Sequence, residues 1–576
     1  MEQLAPAPGA AEIAAAIAGR RGLLAAVVAF SAFVNILMMT GSIFMLQVYD
    51  RVLASRSIET LAALSLVAVF LYLVLGLLDQ ARARVMVRAA AQVQAQLDRR
   101  VFSATLAGSG SASAALALRD LEALQRALAS PGLLALMDVP WVPLFLGLIF
   151  LFHPLMGWLA LAGGGVLIAA SALQQHLTRD AATRAFAAQH SAERSAEQFR
   201  NAAEELRALG MQDRACERWQ SARSEAMRQG IAAADAGTGI NAFSRTFRLF
   251  LQSAMLALGA VLTLRGYLSG GAMVSSSVLL GRALAPIEGL IAGWPLLARA
   301  LAGRRRLAGF LADVPPARPR LVLPHPVGRI AATGLSIAPP GSDRPVLRIP
   351  SLTITQGQIV GVVGPSGAGK STLLRALCGA WAPLAGEIRL DGAMLAQYDP
   401  AILGAAIGYV PQRVGLFQGT IGENIARLAA RPDPATVIRA ARASGSHDMI
   451  LSLPDGYDTR IDAHHTPLSG GQVQRIGLAR AMFGDPPLWL LDEPDANLDA
   501  EGTLALGAAV RAHKARGGTA VLTAHRQTLL HDCDIILALD RGTVRALGPR
   551  ADIWPNLFRR PAAIAGDFPL AREGAA

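Results

Sequence analysis

Long apolar runs crowd the first half of the chain and are missing from the second. Six of them, at residues 22–46, 61–78, 141–152, 156–173, 250–264 and 273–298, read as membrane-crossing helices, because about 20 residues of helix cross a hydrocarbon layer. The third is short and is expected to lengthen into its flanks. The stretches at 79–130 and 174–247 are rich in Ala, Arg, Gln and Glu with few prolines, a composition that predicts long helices continuing beyond the membrane. Past residue 326 the pattern changes. Short β-rich runs such as 358–363 and 488–491 alternate with helix-like segments and Gly-bearing turns, which predicts an α/β domain with a largely parallel sheet.

Between these halves the text VPPARPRLVLPHP, residues 314–326, repeats proline too often to continue a helix and reads as an extended linker. The expected organisation is a short or disordered N-terminus at 1–20, beginning MEQLAPAPGA. A six-helix membrane domain at 21–312, a linker at 313–327, an α/β domain at 328–560 and a tail at 561–576 follow. A length of 576 residues demands more than one core, and a 52% hydrophobic, 17% charged composition averages a membrane part with a soluble part.

The net charge of +12 does not point to nucleic acid, because the arginines gather in two long connections. Arg82, Arg84, Arg88, Arg99 and Arg100 lie in one; Arg179, Arg184, Arg194, Arg200 and Arg207 lie in the other. Positive connections stay in the cytoplasm, so both termini and the α/β domain are expected there, with the short links at 47–59 and 265–271 outside. The first apolar run is longer than a signal-peptide core and further spans follow, which argues against cleavage. Cys216, Cys378 and Cys533 have no metal-like spacing and read as bystanders.

The chemistry sits in the second half. The run 359–363 leads into Gly364, Pro365, Ser366, Gly367, Ala368, Gly369, Lys370, Ser371 and Thr372, the G-x-x-x-x-G-K-[ST] phosphate loop (Walker A) in its strand-loop-helix context. Backbone N–H groups and a helix N-terminus suit phosphate there. Lys370 reaches the β- and γ-phosphates and Ser371 holds Mg²⁺. Lys370 is one of two lysines in an arginine-rich chain, so a compact point charge is required at this place. A second strand, 488–491, ends in Asp492, read as a Mg²⁺ ligand, and Glu493, read as the base that activates water. Without the phosphate loop the same pair would be an acidic turn.

Leu468-Ser469-Gly470-Gly471-Gln472 resembles the signature sequence of ABC ATPases, and other elements follow in that family's order. Gln412 in GYVPQ resembles the Q-loop, which contributes to Mg²⁺ and catalysis. Asp499 in Asn497-Leu498-Asp499 resembles the D-loop and His525 in Thr523-Ala524-His525-Arg526 the switch histidine. Alone, Gln412 and His525 would be ordinary loop residues. The resemblance implies a homodimer in which Ser469, Gly470, Gly471 and Gln472 close over ATP held by the opposite subunit. Two departures stand out. Ile337 occupies the place of the adenine-stacking aromatic, and Ile461-Asp462-Ala463-His464-His465 replaces the usual Gly-Glu-Gly-like stretch, which puts coupling through that loop in question.

In the membrane half, FMLQVYDRVL (44–53), DVPWVP (138–143) and GRALAP (281–286) resemble type I protein-secretion exporters of the alkaline-protease, PrtD-like subgroup. That resemblance, covering 27–549, implies a bacterial inner-membrane, multi-pass ATPase. It would work with a periplasmic adaptor (membrane fusion protein) and a TolC-like outer-membrane channel to export an unfolded protein bearing a C-terminal signal, such as an RTX protein. The roughly 20 residues before the first span are too few for a leader-cleaving protease domain. Packing accounts for most of these membrane motifs: Pro140 and Pro143 set the entry to the third span, and Asp50 with Arg51 forms a surface turn. Asn35 and Gln47, polar in apolar surroundings, are expected to face a central pathway. The alternatives are a lipid or small-molecule exporter of the same architecture, and a regulatory membrane protein whose cassettes close without productive hydrolysis.

Overall fold

A computed structural model describes residues 8–108, 112–316, 323–462, 468–524 and 527–557. The chain divides into two compact units, Met1–Pro316 and Ala317–Ala576.

The first unit is helical and holds six helices long and apolar enough to cross a membrane: Arg21–Ser55, Ile58–Ala107, Pro131–Phe152, Pro154–Asn201, Ala242–Leu264 and Gly270–Asp313. The third does lengthen, through Pro131–Asp138 and a 3₁₀ turn at Val139–Trp141 into Val142–Phe152. Pro140 lies in that turn and Pro143 in the first turn of the following helix, where a missing N–H costs nothing. The second, fourth and fifth spans continue far beyond a bilayer. The fifth belongs to a helix of 53 residues, Gln212–Leu264, about 80 Å long at 1.5 Å per residue.

Small residues set the closest packing. A Cβ on Gly293 would fall 2.6 Å from the Gly132 Cα, so the third and sixth spans touch backbone to backbone, as small residues allow in membranes. The N-terminal expectation is corrected here. Pro8–Ala18 is a helix whose Ile13 and Ala16 are buried against Val101, Leu121 and Leu311. Its alanines and isoleucines have an apolar face to bury, and Glu12 pairs with Arg100 at 2.9 Å. Residues 1–7 lie outside the described residues.

Asn35 is also corrected. It is 1% exposed and donates to Asp138 Oδ1 and to the Ser31 carbonyl, both at 2.8 Å. Arg82 completes the cluster, donating to Asp138 at 2.7 and 3.0 Å, to Ser31 Oγ at 3.0 Å and to Asp79 at 2.7 Å. A buried arginine needs carboxylate partners, and Asn35 is drawn in to satisfy one. The Asp50 turn is more than surface. Its carboxylate accepts from Ser269 Oγ at 2.6 Å and from the Gly271 N–H at 2.8 Å, tying the first link to the start of the sixth span.

The second unit is built on strands β1 Ile330–Ile337, β2 Leu347–Ile354, β3 Ile359–Val363, β4 Ala385–Leu390, β5 Ala393–Met394, β6 Ile407–Val410, β7 Gly419–Thr420, β8 Arg460–Ile461, β9 Leu488–Asp492, β10 Thr519–Thr523, β11 Ile535–Asp540 and β12 Thr543–Pro549. Ten form one sheet in the order β5-β4-β1-β2-β12-β11-β3-β10-β9-β6. The parallel expectation holds for β11-β3-β10-β9-β6; the β5-β4-β1-β2 half is antiparallel. Every residue of β3, β9 and β10 is buried, as parallel strands covered on both faces require. Of the linker, 317–322 lie outside the described residues.

Candidate functional site

The order of the parallel strands decides where the site lies. In such sheets ligands gather beyond the carboxyl ends of the strands, and β3, β10, β9 and β6 deliver the phosphate loop, Thr523, Asp492 with Glu493, and Gln412 to that same edge.

The phosphate loop follows β3 and precedes the helix Lys370–Leu377. Gly364, Gly367 and Gly369 take φ values of 155°, 79° and 99°. A Cβ on Gly364 would come within 2.3 Å of the Leu539 carbonyl, so no side chain fits where the loop leaves the sheet. Lys370, 7% exposed, donates from Nζ to the Gly364 and Pro365 carbonyls at 2.8 and 3.1 Å, which holds its charge inside the loop. Ser371 and Thr372 are half-buried in the first turn of the helix.

Asp492 is fully buried at the end of β9. Its Oδ1 accepts from Thr523 Oγ1 at 2.9 Å, while its Oδ2 is buried with no hydrogen bond among the described residues. An ionised oxygen in that position is costly unless a cation meets it, so the donor set suits Mg²⁺. Thr523 Oγ1 also accepts from the Glu493 N–H at 2.7 Å. This bond helps to hold Glu493 at φ 49°, in the left-handed region that non-glycine residues avoid. Gln412 Nε2 donates to Glu493 Oε2 at 3.1 Å, so two of the sequence candidates, 81 positions apart, meet. The motif Thr523-Ala524-His525-Arg526 by itself gives Thr523 no role; its signal is a polar residue closing a buried strand.

Ser469 caps the helix Gly470–Met482. Its Oγ accepts from the Gln472 N–H at 3.4 Å, and Gln472 Oε1 accepts from the Ser469 N–H at 2.8 Å. S-G-G-Q is thus a capping box that fixes a helix N-terminus, the anion-favouring end. Asp499 caps the helix Ala500–Ala515 through the Gly502 N–H at 2.8 Å and pairs with Arg475 at 2.5 and 2.7 Å. The Gly502 N–H and the Arg475 guanidinium hold its carboxyl below the usual range. Arg475 escaped the sequence reading because nothing local marks a helix-surface arginine as a partner of a residue 24 positions away.

Ile337 is corrected. It is fully buried in the sheet core beside Leu347, so its apolar surface is spent on packing and cannot meet an adenine. His525 and the pair His464 and His465 lie outside the described residues.

A family model for the ABC transporter matches residues 347–496, and one for the ABC transporter transmembrane region matches 24–285. The type I secretion system ATP-binding protein PrsD of Rhizobium meliloti (strain 1021) is 40% identical over 95% of both chains. The exotoxin translocation ATP-binding protein PaxB of Pasteurella aerogenes is 27% identical over 94% of this chain and 77% of its own. An ATP-dependent lipid A-core flippase of Aromatoleum aromaticum (strain DSM 19018 / LMG 30748 / EbN1) is 36% identical, but over only 54% of this chain and 52% of its own. Among solved structures, a bacterial Atm1-family ABC exporter with ATP bound superposes with a TM-score of 0.81 at 22% identity, covering 96% of this chain and all of the other, which establishes the fold. A six-span membrane unit, an ATP-binding cassette and a relative matched over 95% of both chains agree: the chain belongs to the ABC transporters of type I secretion systems.

Proposed function

We propose that the protein exports an unfolded polypeptide across the bacterial inner membrane. It would act as a homodimer, with a periplasmic adaptor and an outer-membrane channel completing the route. The observation that carries this reading is the 40% identity to PrsD along 95% of both chains, where the flippase likeness spans about half. By the distribution of arginines, both termini and the cassette lie in the cytoplasm.

In each cassette the amides of 364–369, with Lys370, Ser371 and Thr372, would hold the phosphates of ATP. Asp492, Ser371 and Gln412 would hold Mg²⁺, which when bound neutralises charge developing on the phosphoryl oxygens. Glu493 accepts a proton from the attacking water. Gln412 fixes one oxygen of that carboxylate and Thr523 fixes its backbone. Ser469, Gly470, Gly471 and Gln472 would present a capped helix N-terminus to the nucleotide of the partner subunit. Asp499 positions the signature helix through Arg475, and His525 completes the set as the switch histidine. Binding of ATP by the closed pair and release after hydrolysis shift the population between two states.

Comparison of the extracellular proteins of cells with and without the gene tests the cargo. Loss of one or a few secreted proteins is expected; an unchanged set accompanied by altered envelope lipids would overturn protein export in favour of lipid export.

A further inference from the structure

The helix Gly470–Met482 carries more than its capped end. Gln474, in its second turn, is 3% exposed, and a buried amide is costly without a partner. Its Nε2 donates to the Pro494 carbonyl at 3.2 Å. Pro494 directly follows Glu493, so this bond falls on the residue next to the proposed base. Positions three apart share a helix face, and the neighbours of Gln474 on that face are two glycines pressed against loops of the site. A Cβ on Gly471 would come within 2.7 Å of the Asn497 carbonyl, and one on Gly477 within 2.6 Å of Val414, two residues past Gln412. One face of this helix therefore touches both the loop that follows Glu493 and the loop that carries its partner Gln412.

The turn at Glu493 needs holding from both sides. Its φ of 49° is a conformation that persists only where the surroundings impose it. On the near side the Glu493 N–H is bound to Thr523, and the Ala496 N–H closes the turn onto the Glu493 carbonyl at 3.1 Å. On the far side Pro494 has no N–H to offer and its ring fixes φ, which leaves its carbonyl as the group by which that peptide can be gripped. We infer that Gln474 is a positioning residue for hydrolysis: it anchors the far side of the Glu493 turn to the signature helix, so the place of the carboxylate is set by the helix whose N-terminus would face nucleotide. The inference rests on the reading of Glu493 as the base. An amide that served packing alone would change the stability of the cassette and leave the rate of each folded subunit as it was.

The test measures ATP turnover and ATP affinity of the full chain in phosphatidylcholine nanodiscs, with rates counted per subunit able to bind ATP. Gln474→Met keeps the bulk and removes the donor. Its kcat should fall about 10–10²-fold, the cost of a small misplacement of a reacting group, with KM for ATP nearly unchanged because the phosphate loop is untouched. Gln474→Glu keeps the shape as well. Ionised, it cannot donate to a carbonyl; burial raises its pKa, so the donating acid form returns as pH falls. Its kcat relative to wild type at the same pH should therefore climb from about pH 8 to about pH 6, while that of Gln474→Met stays flat. This recovery is read within one protein, so it decides the question even where the Met variant does not fold. Glu493→Gln is the control. A wild-type kcat in both Gln474 variants, a loss confined to ATP affinity, or a Gln474→Glu rate that does not recover in acid overturns the positioning role while turnover stays low in Glu493→Gln. Wild-type turnover in Glu493→Gln removes the base itself, and the inference falls with it.

Discussion

Asp492, Glu493 and Thr523 form a unit in which one hydroxyl serves two neighbours. Thr523→Val leaves a buried carboxylate oxygen and an N–H without their partner, which should cost about 1–3 kcal/mol of cassette stability. Turnover should fall as well, because Glu493 loses a bond that holds its strained backbone; chemical unfolding and an ATPase assay read the two effects. Glu493→Gln should lower hydrolysis by roughly 10²–10⁴ with ATP binding retained, the range for loss of a positioned base. A residue outside the site sets the acid limit. His513 is buried, stacked on Trp489 with ring centroids 3.9 Å apart, and its Nε2–H donates to the Thr519 carbonyl at 3.1 Å. Burial lowers its pKa from 6.5 to about 4. The unfolded chain takes up this proton first, so the contribution is full above pH 6.5 and is lost as pH falls toward 4, up to about 3 kcal/mol. Thermal unfolding should show that acid limb, and His513→Phe should flatten it.

Helix starts and helix crossings carry the next layer. Ser469→Ala removes one half of the capping box at the signature helix and should cost about 1 kcal/mol. Its larger effect is expected on nucleotide-dependent dimerisation, measured by size-exclusion chromatography with ATP. In the membrane unit, Arg82 and Asp138 bind the second span to the third, with Ser31 and Asn35 of the first joining them. Asp138→Ala leaves Arg82, 6% exposed, with only Asp79 and Ser31 as partners and should cost about 3 kcal/mol, the lower end for breaking a buried pair. A fall in the melting temperature of the purified full chain checks it, and a loss no larger than that of Asp79→Ala would show that the buried pair is not the main tie. Both cases turn a short polar motif into a joint between elements.

For the whole molecule, the proposed homodimer implies that closure over ATP needs two copies. Glu493→Gln with ATP should accumulate a closed dimer while wild type cycles, visible as a mass shift; a purely monomeric variant under saturating ATP would contradict it. Much of this protein was legible in one dimension. Six spans, the phosphate loop, the paired carboxylates and the signature were readable because each is set by residues close together in the chain: apolar runs, glycines at positive φ, a charge at a strand end. Tertiary structure decided what joins across distance. Gln412 meets Glu493, Thr523 bridges Asp492 and Glu493, and Arg475 holds Asp499, through strand order and helix packing that local text does not encode. It also moved Asn35 and Ile337 from expected surfaces into buried sites. In a membrane span the lipid side and the core side are both apolar, and a strand end can face either layer, so polarity along the chain has no means of telling the two apart; only packing does.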